Sequence, residues 1–403
     1  MNTKEQPFKK GYKFEIYPNI EQKELLENTF GCCRFVWNKA LDNAKKEYEF
    51  FLAHKDLNPS NIILKPNLSG YEFVNRLIKY KSDPETQWLN DVNSVALQQT
   101  MLHLGTAFSI FFKNRKGYPA FKKKHNRQSF SLMTNSFRFK GEQLFIAKSK
   151  DPLIVGFSRK LPSQPSSATI SKSPTGRYYI SFICEYIPTK TNGKGKIGID
   201  LGLKDFLVTS DGIKIPNPKH LKKHEKRLKR LQQSLSKKRK GSKSRNKARI
   251  KVAKQYEVVS NCRNDFQHKL SRILVNENQV IGLEKLIVKN MVKNRKLSKA
   301  ISDVAWGSFT SKLNYKAKES QNCKLVYMDC WYPSSHICNV DHIQLDRKLS
   351  LSERTWKCPH CNTIHDRDIN AAINIRNEAI LTIELFQLQT KAGHVTFLAN
   401  RPH

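Results

Sequence analysis

The sequence predicts an α/β protein built from several domains, and three observations support this fold class. The chain has 403 residues, of which 38% are hydrophobic, enough for two or three domains of roughly 150 residues with cores of their own. Segments with helical spacing of apolar residues alternate with short β-prone runs. Single acidic residues interrupt two apolar strands and recur at the start of a C-terminal helix.

The N-terminal part is predicted to contain a strand, then helices, then further strands. The strand lies at 11–17, and apolar residues recur at helical spacing over 21–48 and 89–112. The turn-forming residues of Asn58-Pro-Ser and Leu68-Ser-Gly predict a loop between the two helices. Short runs separated by Gly, Pro, Ser and Asp then predict a small β-barrel. These runs begin at Phe137, Leu144, Leu153, Ala168 and Tyr178.

The segment 113–127 interleaves basic and aromatic side chains. This pattern suits a nucleic acid, because lysine and arginine contact phosphates while aromatic rings stack on exposed bases. The alternative is a solvated loop whose aromatic residues pack locally. The candidate contacts with nucleic acid are Lys113, Arg115, Lys116, Tyr118, Phe121 and Lys122.

Two predicted strands each carry a single acidic residue. The segment 196–212 is predicted to form a β-hairpin with Asp200 on its first strand, and 279–286 contains a short apolar strand that ends near Glu284. Taken alone, such an acid is commonly a turn, edge or ion-paired residue. Their order along the chain, followed by acids at the start of a helix, instead indicates a shared site.

Between these two strands lies a strongly basic segment, 219–254, in which about half of the residues are Lys or Arg and Glu225 is the only acid. Leucines at heptad-like spacing provide one face that can dock while the other presents charge. Gly241-Ser-Lys-Ser divides the segment into a helical hairpin. We predict that it binds a nucleic-acid backbone. The candidate contacts are Lys223, Arg227, Arg230, Arg239 and Arg245.

The segment 358–375 joins half of a metal site to an acidic helix start. Cys358 and Cys361 have the C-x-x-C spacing with which two thiolates hold one metal ion. Apolar residues at helical spacing begin right after Asp366 and Asp368. The acids are therefore predicted to stand in the first turn of a helix, next to a metal knuckle.

Three carboxylates from separate elements are the ligands that a pair of Mg²⁺ ions needs. In two-metal phosphodiester cleavage the ions lie roughly 3.5 to 4 Å apart, one activating water and the other stabilising the leaving oxygen. Asp200, Glu284 and one acid of the C-terminal helix would supply the oxygens. Asp366 and Asp368 compete for the third position, since residues i and i+2 of a helix do not point the same way. The pattern points to a metal-dependent nuclease.

Several short segments, spread over nearly the whole chain, form a highly specific combination. They are Ala96-Leu-Gln-Gln, residues 107–122, Gly198-Ile-Asp-Leu-Gly, Glu284-Lys-Leu, Ser334-Ser-His-Ile-Cys and His365-Asp-Arg-Asp-Ile-Asn-Ala-Ala. In these segments the chain resembles the TnpB proteins of bacterial insertion sequences, also called OrfB, which are related to type V CRISPR effector nucleases.

The resemblance implies an RNase H-like nuclease core of the RuvC type with the catalytic triad Asp200, Glu284 and Asp368. By the family's pattern, the third ligand is the acid two residues before Asn370, which leaves Asp366 to helix capping or partner contacts. The resemblance also implies Mg²⁺-dependent cleavage of double-stranded DNA chosen by a guide RNA from the transposon end, next to a short flanking motif.

The resemblance also implies a division into domains. A helical recognition lobe would be inserted into a wedge β-barrel, and a zinc-ribbon-like insert would interrupt the RuvC-like nuclease domain. The implied ranges are 1–17 and 125–190 for the wedge, 18–124 for the lobe, 191–329 and 363–380 for the nuclease, 330–362 for the insert and 381–403 for a C-terminal tail.

The zinc knuckle departs from the family's pattern of two C-x-x-C pairs. Its first half is Cys338-Asn-Val-Asp341-His342, with Asp341 in the place of the second cysteine. Either Asp341 or His342 could supply the fourth ligand, and His342 is favoured because imidazole with three thiolates is a standard structural set. The predicted ligands are Cys338, His342, Cys358 and Cys361. The alternative is that zinc has been lost and packing holds the loop.

The charge balance agrees with nucleic-acid partners. The chain has 72 Lys and Arg against 34 Asp and Glu, a net charge of +38, which predicts strongly salt-dependent binding through counterion release. No apolar run approaches the roughly 18 residues of a membrane span, and no signal-peptide pattern is present. Membrane-surface binding is the competing interpretation. We expect a cytoplasmic, nucleoid-associated protein of bacterial type whose cysteines are reduced.

Two other functions are compatible with these patterns. A nuclease-inactive RNA-guided DNA-binding repressor is disfavoured by the complete set of acids. An RNase H-like transposase would use the same core for strand transfer. The expected partners are a guide RNA and double-stranded target DNA, with a monomer as the favoured oligomeric state.

Overall fold

The computed structural model describes residues 7–54, 65–114, 117–347, 349–350 and 352–391. The chain divides into two compact units, Met1–Ile187 and Pro188–His403, each with a hydrophobic core of its own. The candidate residues Arg115 and Lys116, and the loop predicted at Asn58-Pro-Ser, lie outside the described residues.

The strands of the N-terminal unit form an antiparallel sheet and a hairpin. Their bounds are β1 Phe8–Tyr17, β2 Gln128–Met133, β3 Phe137–Lys140, β4 Gln143–Ile146, β5 Ile154–Gly156, β6 Ser167–Lys172 and β7 Tyr178–Tyr186. The sheet has the order β2-β6-β7-β1-β5, so the first strand lies among the last ones. The hairpin of β3 and β4 joins this sheet through the Leu153 amide, which donates to the Leu144 carbonyl at 2.7 Å.

Strands β3 to β7 lie where the β-prone runs predicted them, and β1 includes the strand predicted at 11–17, but β2 was not predicted. Alternate residues of β7, such as Ile180 and Phe182, are buried in the core, as expected for a sheet with one face on the protein interior. Among the described residues, the strands form a five-stranded sheet and a two-stranded hairpin. A single β-bridge, between Leu144 and Leu153, connects the two.

In the described residues between β1 and β2 the structure has three α-helices. They are α1 Ile20–His54, α2 Gly70–Ser82 and α3 Ser94–Asn114. The helices predicted over 21–48 and 89–112 are thus confirmed, although α1 extends to His54 and α3 begins at Ser94. Helix α2 was not predicted. Its signals are local: the Ser69 hydroxyl accepts a hydrogen bond from the Glu72 amide as an N-cap, and the buried Phe73, Leu77 and Tyr80 follow helical spacing.

The C-terminal unit is built around a mixed five-stranded sheet. The strands of this unit are β8 Gly195–Leu201, β9 Asp205–Thr209, β10 Lys214–Pro216, β11 Asn278–Glu284, β12 Lys324–Met328, β13 Thr355–Lys357 and β14 Ile364–Asp366. The sheet has the order β10-β9-β8-β11-β12. β8, β9 and β10 pair antiparallel, while β11 is parallel to both β8 and β12.

The helices of this unit are α4 His220–Ser236, α5 Lys243–Glu277, α6 Val288–Met291, α7 Ser298–Val304, α8 Trp306–Ser320 and α9 Arg367–Lys391. Helices α4 and α5 form the predicted basic hairpin, and Gly241 takes a positive φ of 85° in the turn between them. Helix α5 continues well beyond the basic segment. Among the described residues, no helix is both long and apolar enough to cross a membrane.

A small module follows β12. It contains the hairpin of β13 and β14 and has a core of its own, made of Cys338, Leu345, Leu349, Trp356 and Cys358. Because β14 ends at Asp366 and α9 begins at Arg367, the module leads directly into the helix that packs on the main sheet.

Candidate active site

Two neighbouring parallel strands carry the first two acids. In the register of β8 and β11, Gly198 pairs with Gly282, so Asp200 and Glu284 stand two residues further along both strands. Because side chains alternate in direction along a strand, each acid points to the same face of the sheet as the glycine before it. One face of the sheet therefore presents both carboxylates.

Helix α9 lies on that face and carries the third acid. A Cβ on Gly198 would lie 2.0 Å from the Ala372 carbonyl oxygen, and one on Gly282 would lie 2.7 Å from the Ile375 carbonyl oxygen. Any side chain at either position would collide with the helix backbone, so glycine is required for this close approach. Asp368 stands in the first turn of α9, and the close packing brings it to the acids of the sheet.

The carboxylates of Glu284 and Asp368 act electrostatically on Asp200. Burial, and then the negative charges of Glu284 and Asp368, raise the pKa of Asp200 to about 8, although Arg367 and Arg354 offset part of this rise. In the absence of a cation, Asp200 therefore holds a proton at neutral pH. A carboxyl group perturbed by burial and by like charges is characteristic of a functional site.

Two neighbouring side chains hold the other acids. The Ser334 hydroxyl donates to Glu284 Oε1 at 2.7 Å. Arg354 Nη1 lies 3.1 Å from Asp368 Oδ1 and 3.2 Å from Oδ2, while the Asp368 side chain is only 19% exposed. The guanidinium thus supplies the positive charge next to Asp368 in this structure.

Asp366 has a different role. Its Oδ1 accepts hydrogen bonds from the Asp368 and Ile369 amides, each at 3.1 Å, and Lys214 Nζ lies 2.5 Å from its Oδ2. Burial alone would raise its pKa, but these hydrogen bonds outweigh burial and lower the pKa of Asp366. Asp366 therefore caps the N-terminus of α9, as predicted, where exposed amides and the helix dipole favour a carboxylate.

A second cluster, in the small module, could hold a metal ion. The ligand atoms of Cys338, Asp341, Cys358 and Cys361 all lie within 4.8 Å of one another. Cys338 Sγ is 3.5 Å from Cys361 Sγ, and Cys358 Sγ is 3.1 Å from Asp341 Oδ2. Three thiols and one carboxylate are a donor set that tetrahedral zinc accepts.

The fourth member of this cluster is Asp341, whereas the sequence favoured His342 as the fourth ligand. The cluster has two halves, Cys338 with Asp341 and Cys358 with Cys361, and the residue after each half has a φ of 61°. In the first half this residue is His342, whose amide donates to the Cys338 carbonyl at 3.0 Å; in the second it is Asn362, whose amide donates to the Cys358 carbonyl at 3.1 Å. His342 therefore occupies the turn position after the ligand.

His365 adjoins the same cluster. Its Nε2 lies 3.1 Å from Cys338 Sγ, its ring packs against Trp356 with centroids 4.5 Å apart, and its side chain is buried. It directly precedes Asp366 in the chain. One residue thus contacts the thiol cluster while its neighbour caps the helix that carries Asp368.

The basic and aromatic segment of the N-terminal unit is partly engaged with the protein itself. Lys113, Tyr118 and Phe121 are exposed, as a nucleic-acid contact requires. Lys122 instead has its Nζ 3.9 Å from the centre of the Trp37 ring, and burial lowers its pKa. Lys122 is therefore positioned mainly to hold this segment against α1.

The basic hairpin of the C-terminal unit also contains residues of two kinds. Lys223, Arg227, Arg230 and Arg239 are exposed. The Arg245 guanidinium donates to the carbonyls of Leu235 and Lys238 at 3.0 and 3.1 Å, where it satisfies acceptors at the C-terminal end of α4. Arg245 therefore stabilises the turn of the hairpin.

Several residues of the site were not predicted. Ser334, Arg354, Asn370 and Asn374 make hydrogen bonds to the acids or to the loop before the metal cluster. Ser334 and Asn370 stand in segments of the family resemblance, but no role in the site was predicted for them. A further signal that could have been used is the spacing of the two asparagines, four residues apart on one helix face.

Three family models match the chain. OrfB_IS605, described as "Probable transposase", matches residues 177–295. The helix-turn-helix domain of the same family, HTH_OrfB_IS605, matches residues 8–50, which form β1 and most of α1 in this structure. The TNB domain of Cas12f1-like proteins matches residues 306–375, which include the thiol cluster.

Individual proteins are similar over most of the chain. A Streptomyces pristinaespiralis protein named "Putative RNA-guided DNA endonuclease" is 38% identical over 92% of this chain and 89% of its own length. Escherichia coli InsQ, which bears the same description, is 26% identical over 90% of each chain. Among solved structures, the protein of a Cas12f1-sgRNA-target DNA complex has a TM-score of 0.55 at 13% identity, covering 92% of this chain and 99% of that one. The chain thus shares an α/β multidomain fold with that protein, and it belongs to the TnpB (OrfB) family of insertion-sequence proteins.

Proposed function

We propose that this chain is an RNA-guided DNA endonuclease encoded by a transposable element, which cleaves target DNA next to a short flanking motif. The observation that carries the proposal is the convergence of Asp200, Glu284 and Asp368, from two strands and one helix, on one face of the sheet. Relatives that bear the name of RNA-guided DNA endonucleases support the same activity.

Asp200, Glu284 and Asp368 would hold Mg²⁺. Bound there, Mg²⁺ supplies an activated water and neutralises the charge that develops on the leaving oxygen. The donor set fits, because hard cations prefer carboxylate oxygens. Burial, and then the negative charges of Glu284 and Asp368, raise the pKa of Asp200, and a bound cation would favour its ionised form. Ser334 orients Glu284, and Arg354 would have to leave Asp368 when a cation takes its place.

The nucleic acids would be held through backbone contacts. The basic hairpin of α4 and α5 follows β8, β9 and β10 in the chain, and its exposed basic residues are Lys223, Arg227, Arg230 and Arg239. We propose that these residues contact the backbone of the guide-target duplex beside the acids. In the N-terminal unit, we propose that the sheet and the β3–β4 hairpin form the wedge and that α1 to α3 form the recognition lobe. Lys113, Tyr118 and Phe121 would contact RNA or DNA there.

We further propose zinc as the metal of the thiol cluster, with Cys338, Asp341, Cys358 and Cys361 as its ligands. In this role zinc would be structural, because the module has little apolar core of its own and a small core of this kind commonly requires a metal for stability.

The proposal is tested by purifying the protein from cells that co-express its native locus, sequencing the bound RNA, and incubating the complex with Mg²⁺ and plasmids with randomised target-flanking sequence. One co-purifying RNA and cleavage at one flanking motif are expected. Asp200→Ala should abolish cleavage and leave guided binding largely intact. Asp211→Asn, an exposed acid in the turn after β9, serves as the matched control and should cleave normally.

Other outcomes would overturn the proposal. Normal cleavage by Asp200→Ala would refute the assignment of the triad. Specific RNA with target binding but no strand breaks in the unmodified protein would indicate a repressor. Covalent joining of transposon ends to target DNA without RNA would indicate a transposase.

A further inference from the structure

Two buried asparagines connect the catalytic helix to the small metal-binding module. Asn370 and Asn374 are 1% and 2% exposed and stand one turn apart on α9. The side-chain amides of both donate to the Ile337 carbonyl at 2.7 Å, and Asn374 also donates to the Ser334 carbonyl at 2.9 Å. Asn370 Oδ1 accepts the Asn339 amide at 3.0 Å. Asn370 therefore binds the loop on both sides of Cys338, and Asn374 binds the loop before it.

The same loop reaches the acid of β11. Ser334, whose carbonyl is bound by Asn374, donates its hydroxyl to Glu284 at 2.7 Å. Ser334 is itself buried. Ile337, the residue before Cys338, is thus linked by hydrogen bonds through Asn374 and Ser334 to the carboxylate of Glu284.

A second connection leads from the module to Asp368. Arg354 directly precedes β13, and its guanidinium contacts the Asp368 carboxylate, while its carbonyl accepts the Arg367 amide at 2.8 Å. At the end of β14, His365 contacts Cys338 Sγ and Asp366 caps α9. The module therefore contacts both sides of the first turn of α9.

We propose that the metal-loaded module positions Glu284 and Asp368 for binding divalent cations, with Ser334, Asn370 and Asn374 as the positioning residues. This inference rests on the proposed function, which assigns Mg²⁺ to the three acids and zinc to the thiol cluster. Buried amide side chains that bind main-chain carbonyls fix a loop strongly, because a buried partner left without its hydrogen bond is costly. Loss of the metal would release the loop, and with it the orientation of both acids.

The test measures Mn²⁺ binding to the full-length protein with its RNA, from the electron paramagnetic resonance signal of free Mn²⁺. The binding that is lost in Asp200→Ala is assigned to the triad. Ser334→Ala and Asn374→Ala should keep their zinc, measured by metal analysis, yet bind Mn²⁺ roughly tenfold more weakly, as is typical when a ligand loses its hydrogen-bonded support. Asn377→Ala is the control, because Asn377 lies on the same helix and accepts hydrogen bonds from its neighbour Arg376.

Removal of the cluster metal with a chelator should have the same effect on unmodified protein, and should speed amide hydrogen exchange in residues 366–370. Unchanged Mn²⁺ affinity in Ser334→Ala, which deletes a single hydroxyl and is expected to fold, would overturn the proposal, as would unchanged affinity after metal removal. If Asn374→Ala does not fold, the Mn²⁺ affinity of Ser334→Ala still tests the proposal. A protein that binds Mn²⁺ through Asp200 but cuts no DNA would refute the proposed function, and the Mn²⁺ affinities of the variants would still decide the coupling.

Discussion

Asp341 and His342 are adjacent, and their roles differ because of one backbone turn. Asp341 lies three residues after Cys338, as Cys361 does after Cys358, so its carboxylate occupies the position of a fourth thiolate. His342 follows with a φ of 61° and donates its amide back to Cys338. The equivalent residue of the other half is Asn362, a residue type that tolerates this conformation well.

Substitution at these two positions should therefore have different effects on zinc affinity. Asp341→Cys should bind zinc more tightly by completing a four-cysteine site, and Asp341→Ala should bind it more weakly. His342→Asn should bind zinc with an affinity close to that of the unmodified protein. Competition with a coloured zinc chelator gives the affinities, and absorption of the Co²⁺-substituted protein reports the number of thiolate ligands. A loss of zinc in His342→Asn as large as in Asp341→Ala would contradict the assignment.

The carboxyl group of Asp200 should make stability depend on pH when no divalent cation is present. Its ordinary pKa of 3.8 is raised to about 8 in the folded chain, so the folded state binds the proton more tightly than the unfolded state. Below pH 3.8 the group is protonated in both states, and its stabilising proton is lost as pH rises toward 8. The melting temperature in a chelating buffer should therefore fall over this window.

Asp200→Asn removes this titration, so the difference in melting temperature between it and the unmodified protein should grow from about pH 5 to about pH 8. Asp211→Asn should have the melting temperature of the unmodified protein at every pH. If the melting temperatures of Asp200→Asn and the unmodified protein differed by the same amount at every pH, the triad would not titrate in this range.

At the scale of elements, the packing of α9 on the sheet decides whether the site forms. Gly198→Ala places a methyl group 2.0 Å from the Ala372 carbonyl oxygen and 2.4 Å from the Arg376 amide nitrogen. The helix must move away, at a cost of about 1 to 3 kcal/mol or more for such overpacking, and Asp368 moves with it. We expect a lower melting temperature and strongly reduced cleavage.

Gly307→Ala is the matched control. A Cβ at Gly307, near the start of α8, meets nothing within 4 Å, and alanine is the better helix former. Its melting temperature should be unchanged or slightly raised. If Gly198→Ala behaved like Gly307→Ala in both assays, the tight approach of α9 would not be needed for the site.

At the scale of the whole molecule, the net charge of +38 should dominate the salt dependence of binding, but individual arginines contribute unequally. Arg239 is exposed, whereas Arg245 is bound to the carbonyls of Leu235 and Lys238. Arg239→Gln removes one positive charge that can neutralise a phosphate. The variant should therefore reduce the slope of log K against log salt by about 0.7 to 0.9, without changing the melting temperature.

Arg245→Gln should instead lower the melting temperature, because α4 loses the donor at its C-terminal end. Filter binding of the RNA at several salt concentrations and thermal unfolding of both variants separate the two roles. An Arg245→Gln variant with unchanged stability and a reduced salt slope would show that Arg245 contacts phosphate after all.

The sequence alone predicted many of the helices and strands of this protein and the candidate acids and thiols of its two sites. Asp200 and Glu284 were recognisable because each interrupts an apolar strand, and the acids at the start of α9 because helical spacing begins right after them. The basic hairpin was recognisable because its charge and leucines are local properties. The helices α1 and α3, the acidic strands and the capping role of Asp366 also depend on residues close in the chain.

Only the tertiary structure decided which side chains meet. Asp341 rather than His342 joins the thiols because of a backbone turn, and Lys122 and Arg245 bind the protein because a ring or a carbonyl from another element lies beside them. Ser334, Arg354, Asn370 and Asn374 support the site across separate segments. Such contacts depend on distances between residues far apart in the chain, which local spacing does not encode.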